Sequence, residues 1–156
     1  MDVTDPLALE HQVCFALAVA SRAVVAAYRP VLEPLGLSHP QYLVMLALWE
    51  RDGQSLKDLS ATLHLEPATA SPLVKRLEAV GLVVRERSPH DERALTISLT
   101  DTGRALREEA VQVPATMLER LGMSLEELEG ANTFLHRLIA SAQQASDPVP
   151  TRSTPA

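Results

Sequence analysis

The sequence predicts a mainly α-helical fold with one small β-hairpin, an α+β arrangement. Apolar residues recur every three or four positions through most of the 156 residues, which is the period of an amphipathic helix. In residues 82–99 the period changes to two, which is typical of strands. A serine or threonine precedes several of the helical segments, where its hydroxyl can cap free backbone N–H groups.

The first two predicted helices are separated by proline and glycine. Helical spacing of apolar or small residues predicts one helix from Leu7 to Leu35. Pro30 and Pro34 should bend or end this helix, and Gly36 suits a left-handed stop. A capping box of Ser38 and Gln41 opens a second helix to about residue 52, whose apolar stripe is Tyr42, Leu43, Leu46 and Trp49.

The remaining elements follow in an order that suggests a known architecture. They are a helix over 56–63, a helix ending at 80, a hairpin over 82–99, a long helix over 100–121 and a helix over 125–144. Helix, tight turn, helix and hairpin is the order of a winged helix–turn–helix. We therefore expect four parts: an N-terminal helix (1–36), the winged unit (37–99), C-terminal helices (100–145) and a tail (146–156) whose composition predicts disorder.

Composition indicates a soluble, cytoplasmic protein. Acidic residues near the start do not resemble the positive lead of a secretory signal, and we expect no apolar run near the roughly 20 residues that span a bilayer. One cysteine excludes an intrachain disulfide and any multi-cysteine metal site. We expect no cofactor, no bound metal and no membrane partner.

Charge is distributed unevenly along the chain. The net charge is −6, but 7 of the 14 Lys and Arg residues lie in residues 51–93, where seven acids balance them. Such a segment is normally an ordinary solvated surface, and it becomes a binding surface only if the fold sorts the cations onto one face.

The end helices carry more apolar surface than a compact helix–turn–helix needs. We expect this surface to form a homodimer interface, the alternative being that these helices cover their own core. The residues are Leu118, Leu121, Leu125, Leu128, Leu135, Leu138 and Ile139.

The middle segment resembles a known family. The stretch "LEPATASPLVKRLEAVGLVVRERSPHDERALTISLTDTG", and within it the Asp-x-Arg of Asp91 and Arg93, closely resembles the recognition helix and wing of the MarR family of bacterial repressors. The resemblance extends over roughly residues 9–142. It implies a dimer whose first and last helices interlock, and whose winged domains bind an inverted repeat in double-stranded DNA.

The resemblance implies roles for particular side chains. Hydroxyl residues at the start of the recognition helix would reach base edges or phosphates, cations one turn later would contact phosphate, and an arginine at the wing would enter the minor groove, oriented by Asp91. Pro72 is harmless if the helix begins near Thr69. For any single arginine the alternative is a solvated surface charge. The implied residues are Thr69, Ser71, Lys75, Arg76, Arg85, Arg87 (on the same strand face as Arg85), Asp91 and Arg93.

Cys14 lies in "HQVCFALAVA", where these residues alone favour inert packing on an apolar helix face over a reactive thiol. However, "LEHQVCFALAVASR", "AYRPVLEPLGLSHPQYLVMLALWE" and "VPATM" resemble the one-cysteine MarR subgroup that senses organic hydroperoxides. That resemblance implies that Cys14 of one chain lies beside Tyr28 of the other, with tyrosine hydroxyls bonded to the sulfur.

The sequence departs from the subgroup at two tyrosine positions, which Ala18 and His39 occupy here. His39 could replace a phenol as hydrogen-bond donor and would favour the thiolate more strongly if protonated. His11, one turn before Cys14, is a second candidate. For each histidine the alternative is a plain surface residue.

The leading hypothesis is a repressor released from DNA when Cys14 is oxidised by an organic hydroperoxide, after which a small thiol forms a mixed disulfide. One alternative is a repressor released by a small aromatic or phenolic ligand, with Cys14 structural. A thiol peroxidase is another, although the chain has no resolving cysteine and we expect no enzyme. The last alternative is an interaction module that does not bind DNA, against which the Asp91/Arg93 wing argues.

Overall fold

The computed structural model describes residues 5–88 and 90–146, and only the backbone of residues 88 and 91–93. Seven helices and three strands occur in these residues. The helices are α1 (Val13–Leu32), α2 (His39–Glu50), α3 (Leu56–Thr62), α4 (Pro67–Ala79), α5 (Asp101–Ala110), α6 (Val113–Leu121) and α7 (Leu125–Ala145). The strands are β1 (Gln54–Ser55), β2 (Val83–Ser88) and β3 (Asp91–Leu99). The mainly helical class with a small antiparallel sheet is therefore confirmed.

The N-terminal helix is shorter than predicted. Residues Leu9–His11 form a separate 3-10 turn, and Gln12 is extended, so α1 begins only at Val13. The side chain of Gln12 donates to the carbonyls of Pro6 and Ala8 at 2.8 and 3.3 Å. This side-chain bonding offers the backbone an alternative to the helix.

The C-terminal end of α1 follows the prediction closely. The helix passes Pro30 and ends at Leu32, and residues Glu33–Leu35 form a 3-10 turn. Gly36 then adopts a left-handed φ of 68°, as expected of a helix stop. Val13–Leu35 is long and apolar enough to span a membrane by length and composition, so the expected absence of such a run is wrong. This is weak evidence for insertion, because helices of soluble proteins pass the same test.

Capping residues set the starts of four helices as the sequence predicts. Ser38 accepts from Gln41 N–H at 3.3 Å while the Gln41 side chain accepts from Ser38 N–H at 2.9 Å. Ser124 and Glu127 form the same reciprocal pair at the start of α7. Ser55 caps α3 and Thr100 caps α5. Each contact stabilises a helix by about 1 kcal/mol because it satisfies an otherwise unpaired N–H.

The prediction of one long helix over residues 100–121 is wrong. The chain forms α5 and α6 instead, separated at Val111 and Gln112. Pro114, the second residue of α6, has no N–H to donate, and in a continuous helix its ring would clash with the carbonyl of Ala110.

The sheet has the order β1-β3-β2, and the prediction missed its first strand. Gln54 pairs with Ile97, and Ser55 pairs with Thr96. The predicted hairpin is present, with Val83 opposite Leu99 and Arg85 opposite Ile97, and its second strand β3 begins at Asp91. Two residues of β1 are too few for an alternating pattern, which explains why sequence periodicity did not reveal it.

The chain divides into two compact units, residues 1–117 and 118–156. The core of the first unit lies where α2, α3, α4 and the sheet meet, and the apolar stripe predicted on α2 is not its deepest face. Leu46 is 41 % exposed, whereas three other α2 side chains are fully buried. The fully buried core includes Leu32, Val44, Met45, Leu48, Leu59 and Leu77.

The second unit is different, because no residue of α7 is buried among the described residues. The predicted disorder of the tail from 147 onward lies outside the described residues.

Candidate functional site

The recognition helix α4 begins two residues before Thr69. Pro67 is its first residue, a position where a missing N–H costs nothing, and Thr69 lies in its first turn. Pro72 is therefore inside the helix, and the condition under which it would be harmless, a helix that begins near Thr69, is not met. The helix nevertheless continues to Ala79.

One face of α4 is buried and the opposite face is exposed. Ala70, Val74 and Leu77 pack into the core. The exposed face carries two of the predicted cations and one of the predicted hydroxyls, together with an apolar residue between them. These residues are Thr69, Pro72, Lys75 and Arg76. The fold therefore sorts charge onto an outward helix face, which is what a DNA-binding surface requires.

Ser71 does not share this face. Its side chain is half-buried and lines a shallow pocket of about 50 Å³ with Val74 and Arg85. The structure thus separates the two predicted hydroxyl residues, with Thr69 outward and Ser71 turned towards the sheet.

The wing carries the remaining predicted cations. Arg87 is exposed on β2, two residues beyond the half-buried Arg85 and therefore on the same strand face, as predicted. The guanidinium of Arg85 forms an ion pair with Glu78 of α4 at 2.7 Å. Sequence reasoning missed Glu78, although an acid in the last turn of α4, seven residues before an arginine, was a usable signal. Asp91 and Arg93 belong to β3, but their side chains lie outside the described residues.

The predicted sulfur-contacting residues fall into two groups. Cys14 is exposed in the first turn of α1. Tyr28 lies on the same helix 14 residues later, about 21 Å away at 1.5 Å per residue, so the two side chains of one chain do not meet. His11 is not one helical turn before Cys14, because the chain is extended at Gln12, and that prediction is wrong. The ring of His11 instead lies 3.3 Å from the carbonyl oxygen of Asp5 and 3.9 Å from a carboxylate oxygen of Glu10.

Tyr28, His39 and Tyr42 form a cluster of three rings, which we call the ring cluster. The ring centroids of Tyr28 and His39 are 4.9 Å apart, and those of Tyr28 and Tyr42 are 6.0 Å apart. The sequence predicted Tyr42 only as part of the apolar stripe of α2, and not as a neighbour of Tyr28. The available signal was the short connection between α1 and α2, which folds the two helices together.

Burial changes the acid–base behaviour of this ring cluster. Desolvation lowers the pKa of His39 below its usual 6.5. Desolvation raises the pKa of Tyr28, and desolvation together with the charge of Tyr28 raises that of Tyr42. All three rings are therefore neutral near pH 7, so the alternative of a protonated His39 is not supported.

A larger cleft lies between α2 and α5. It has a volume of about 520 Å³, and its walls are mainly apolar with one carboxylate and one guanidinium. The lining residues are Tyr42, Leu46, Trp49, Glu50, Arg107, Ala110, Val111 and Pro114. Its size suits a small organic molecule.

The short helix pair, outward basic helix face and hairpin together define a winged-helix DNA-binding protein. A family model described as "Transcriptional regulator SarA/Rot" matches residues 26–110. The organic hydroperoxide resistance transcriptional regulator of Bacillus subtilis (strain 168) is 39 % identical over 140 residues, which is 90 % of this chain and 95 % of that protein.

Solved structures agree with this assignment. Reduced AbfR bound to DNA, a protein of Staphylococcus epidermidis, has a TM-score of 0.77 at 32 % identity, covering 88 % of this chain and 94 % of that chain. A MarR-family regulator from Rhodococcus sp. RHA1 has a TM-score of 0.74 at 29 % identity, covering 85 % and 95 %. The chain belongs to the MarR family of transcriptional regulators, and its winged-helix unit binds DNA.

Proposed function

We propose that this chain is a homodimeric, cytoplasmic repressor that leaves its operator when an organic hydroperoxide oxidises Cys14. The observation that carries the proposal is the arrangement on α1. An exposed thiol lies near one end of the helix, and the ring cluster lies near the other. Antiparallel pairing of two α1 helices in a dimer would bring Cys14 of one subunit beside Tyr28 and His39 of the partner subunit.

The surroundings of Cys14 favour an apolar oxidant. Val13 and Phe15 are its neighbours in the chain and are 56 % and 43 % exposed, so the first turn of α1 presents apolar surface on either side of the cysteine. An organic chain is attracted to such a surface, whereas hydrogen peroxide gains nothing from it. The similarity to the Bacillus subtilis hydroperoxide resistance regulator supports the same stimulus.

The proposed chemistry uses one cysteine in two steps. The thiolate attacks the distal oxygen of the hydroperoxide, the O–O bond breaks, and the products are a sulfenic acid and an alcohol. A small cellular thiol then attacks the sulfenic sulfur, giving a mixed disulfide and water. A second cysteine is absent from the sequence, so an intrachain disulfide cannot form instead.

The ring cluster would provide hydrogen bonds to the sulfur. Because burial favours the neutral form of His39, its role would be that of an N–H donor alongside the Tyr28 hydroxyl, rather than a cation. Oxidation would add bulk and remove these bonds. The resulting shift of α1 would separate the two recognition helices from their half-sites.

The DNA contacts would come from α4 and the wing. Thr69 would reach a base edge, while Lys75 and Arg76 would contact phosphates from the exposed face. Arg87 would extend these phosphate contacts along β2, and Arg93 would enter the minor groove at the wing tip.

A second candidate function is release by a small aromatic or phenolic ligand. The cleft between α2 and α5 favours it, because Tyr42 and Trp49 offer aromatic surface and Arg107 offers a cation for a phenolate or carboxylate. In this case Cys14 would be structural.

Cys14→Ser tests the redox proposal. We expect the variant to bind an operator duplex as tightly as the parent protein, and to stay bound in cumene hydroperoxide while the parent dissociates. Mass spectrometry should show the added thiol on the parent only. Ala16→Ser, an exposed position on the opposite side of the same helix, is the matched control and should respond like the parent.

Two results would contradict the proposal. Release of Cys14→Ser by peroxide would leave the ligand-gated function as the better explanation. Continuous consumption of hydroperoxide with a thiol reductant would instead identify a peroxidase, whereas a sensor reacts once per cysteine.

A further inference from the structure

An ion pair joins the recognition helix to the first wing strand. Nε of Arg85 donates to Oε2 of Glu78 at 2.7 Å, and Nη2 of the same guanidinium lies 2.7 Å from that oxygen as an ion pair. The backbone N–H of Arg85 donates to Oε1 at 3.3 Å. One strand residue therefore occupies both carboxylate oxygens, and we call this pair the brace.

A glutamate at position 78 does not stabilise α4 as a helix. This residue lies in the last turn of α4, where the free carbonyl groups carry a partial negative charge. A carboxylate is disfavoured there unless a cation offsets it. Arg85 supplies that cation from the neighbouring strand, with the two side chains only 35 % and 31 % exposed.

The brace also provides a hydrogen-bond acceptor for a backbone N–H at the edge of the sheet. Because the strand order is β1-β3-β2, strand β2 has a neighbour on one side only. Alternate N–H groups of an edge strand point away from the sheet and lack a strand partner. The Arg85 N–H is bonded by Glu78, which ties the strand backbone itself to α4.

The brace lies at the point where the hairpin leaves the protein core. Arg85 lies opposite Ile97, which is 1 % exposed, whereas the next residue on that face, Arg87, lies opposite Leu95, which is 41 % exposed. Beyond Arg85 the hairpin leaves the core and the register becomes irregular between Arg87 and Ser88. The brace is thus at the base of the free part of the wing.

We propose that Glu78 is a positioning residue for DNA binding: acting through Arg85, it fixes the direction of the wing relative to the recognition helix. Arg85 is then a structural cation rather than a phosphate contact. The exposed Arg87, two residues further along the same strand face, is the cation that meets the DNA backbone. This inference rests on the winged-helix DNA-binding unit and is independent of Cys14 chemistry.

Loss of the brace should reduce the sequence specificity of DNA binding more than it reduces the affinity for non-specific DNA. A helix and a wing in fixed relation read two neighbouring grooves of one duplex together, and a loosened wing loses that register. Non-specific binding depends on the number of phosphates neutralised, and it needs no fixed wing.

The test compares two duplexes, one selected by the wild-type protein from a random 20-base-pair library and one a scrambled duplex of equal composition. We expect Glu78→Gln and Arg85→Gln each to lower the ratio of the two affinities about five- to tenfold, as expected for residues of one ion pair. The double variant has the wild-type net charge, and it should lose no more than the worse single variant.

Two matched variants distinguish the effect of the brace's position from the effect of a changed net charge. Glu86→Gln changes the charge as Glu78→Gln does, but at an exposed neighbour on β2, and it should keep the ratio. Arg87→Gln should weaken binding to both duplexes and reduce the salt dependence by about one counterion.

The proposal is overturned if Arg85→Gln reduces the salt dependence as Arg87→Gln does while Glu78→Gln keeps the ratio. Additive losses in the double variant would also overturn it. If Glu78→Gln does not fold, the affinity ratio is measured on Glu78→Asp instead. This variant keeps the negative charge, but its shorter side chain moves the carboxylate away from Arg85. A lower ratio of the two duplex affinities in Glu78→Asp supports the positioning role of Glu78, and a ratio equal to that of the wild-type protein contradicts it.

Discussion

His39 shows how the surroundings of one side chain decide the chemistry it can perform. Its ring packs against Tyr28, and burial lowers its pKa below 6.5. An imidazole that is neutral near pH 7 can donate or accept a hydrogen bond but cannot stabilise a thiolate by its charge. Burial therefore favours the role of a neutral hydrogen-bond donor, like that of a tyrosine hydroxyl, over that of a cation.

The lowered pKa of His39 predicts a pH-dependent stability. The unfolded chain takes up a proton on this imidazole as the pH falls through about 6.5, while the folded chain does not until lower pH. The free energy of unfolding should therefore fall as the pH drops from 7 to 5.5. In His39→Gln, thermal unfolding should depend less on pH over this range.

The comparison is made with the wild-type protein over the same pH range. An unchanged slope in His39→Gln would contradict the assignment of this effect to His39.

At the scale of elements, the junction of α2, α5 and the start of β2 is held by several polar contacts. Trp49 Nε1 donates to the carbonyl of Gly103 at 2.9 Å, and the Thr100 hydroxyl donates to the carbonyl of Gly81 at 2.6 Å. Gly103 is buried, and a Cβ at this position would overlap the carbonyl oxygen of Leu82. The first turn of α5 thus packs directly against the backbone that leaves the recognition helix.

Gly103→Ala should therefore be destabilising. The added methyl would meet backbone, which cannot move aside as a flexible side chain can, so we expect a loss of about 1–3 kcal/mol in the free energy of unfolding. Urea titration followed by circular dichroism would measure it.

Gly130→Ala on α7 provides the control, because nothing lies within 4 Å of a Cβ at that position. Alanine is favoured over glycine in helices by up to about 1 kcal/mol, so this variant should be neutral or more stable. Equal effects of the two alanines would contradict the packing argument.

At the scale of the whole molecule, both terminal helices expose apolar side chains. On α1, only Leu32 is buried, and none of the residues of α7 is. Exposed apolar side chains on α7 include Leu125, Phe134, Leu135 and Ile139. Exposed apolar side chains in this number on a helix are typical of an interface with another chain, and we propose that a second copy covers those of each terminal helix.

Ile139→Glu tests the dimer. Ile139 is 47 % exposed, so the variant should fold, but a charge buried in the interface without a partner would oppose association. Light scattering should show a monomer at micromolar concentration. Binding to an inverted-repeat duplex should weaken at least tenfold, because two half-sites no longer share one protein.

Thr133→Glu is the control for added negative charge. It introduces the same residue on another face of α7, where the wild-type hydroxyl donates to the helix carbonyl of Glu129. This variant should remain dimeric. A dimeric Ile139→Glu protein would exclude Ile139 from the interface.

Much of the fold could be predicted because its signals are local. The caps at Ser38, Ser55, Thr100 and Ser124 act on N–H groups three residues away, and the period of two in β2 and β3 comes from the strands themselves. The resemblance of the recognition helix and wing likewise identified the family from a continuous stretch. These features survive folding because they do not depend on distant residues.

Other features were decided only by tertiary structure. The strand β1 forms because β3 provides a neighbour, the ring cluster forms because α1 folds onto α2, and Arg85 turns to Glu78 because helix and strand lie side by side. The sequence by itself determined the helices, the hairpin and the single cysteine. Which cations remain exposed to DNA and which histidine is desolvated depended on contacts between residues far apart in the chain, and such contacts leave no periodic signal.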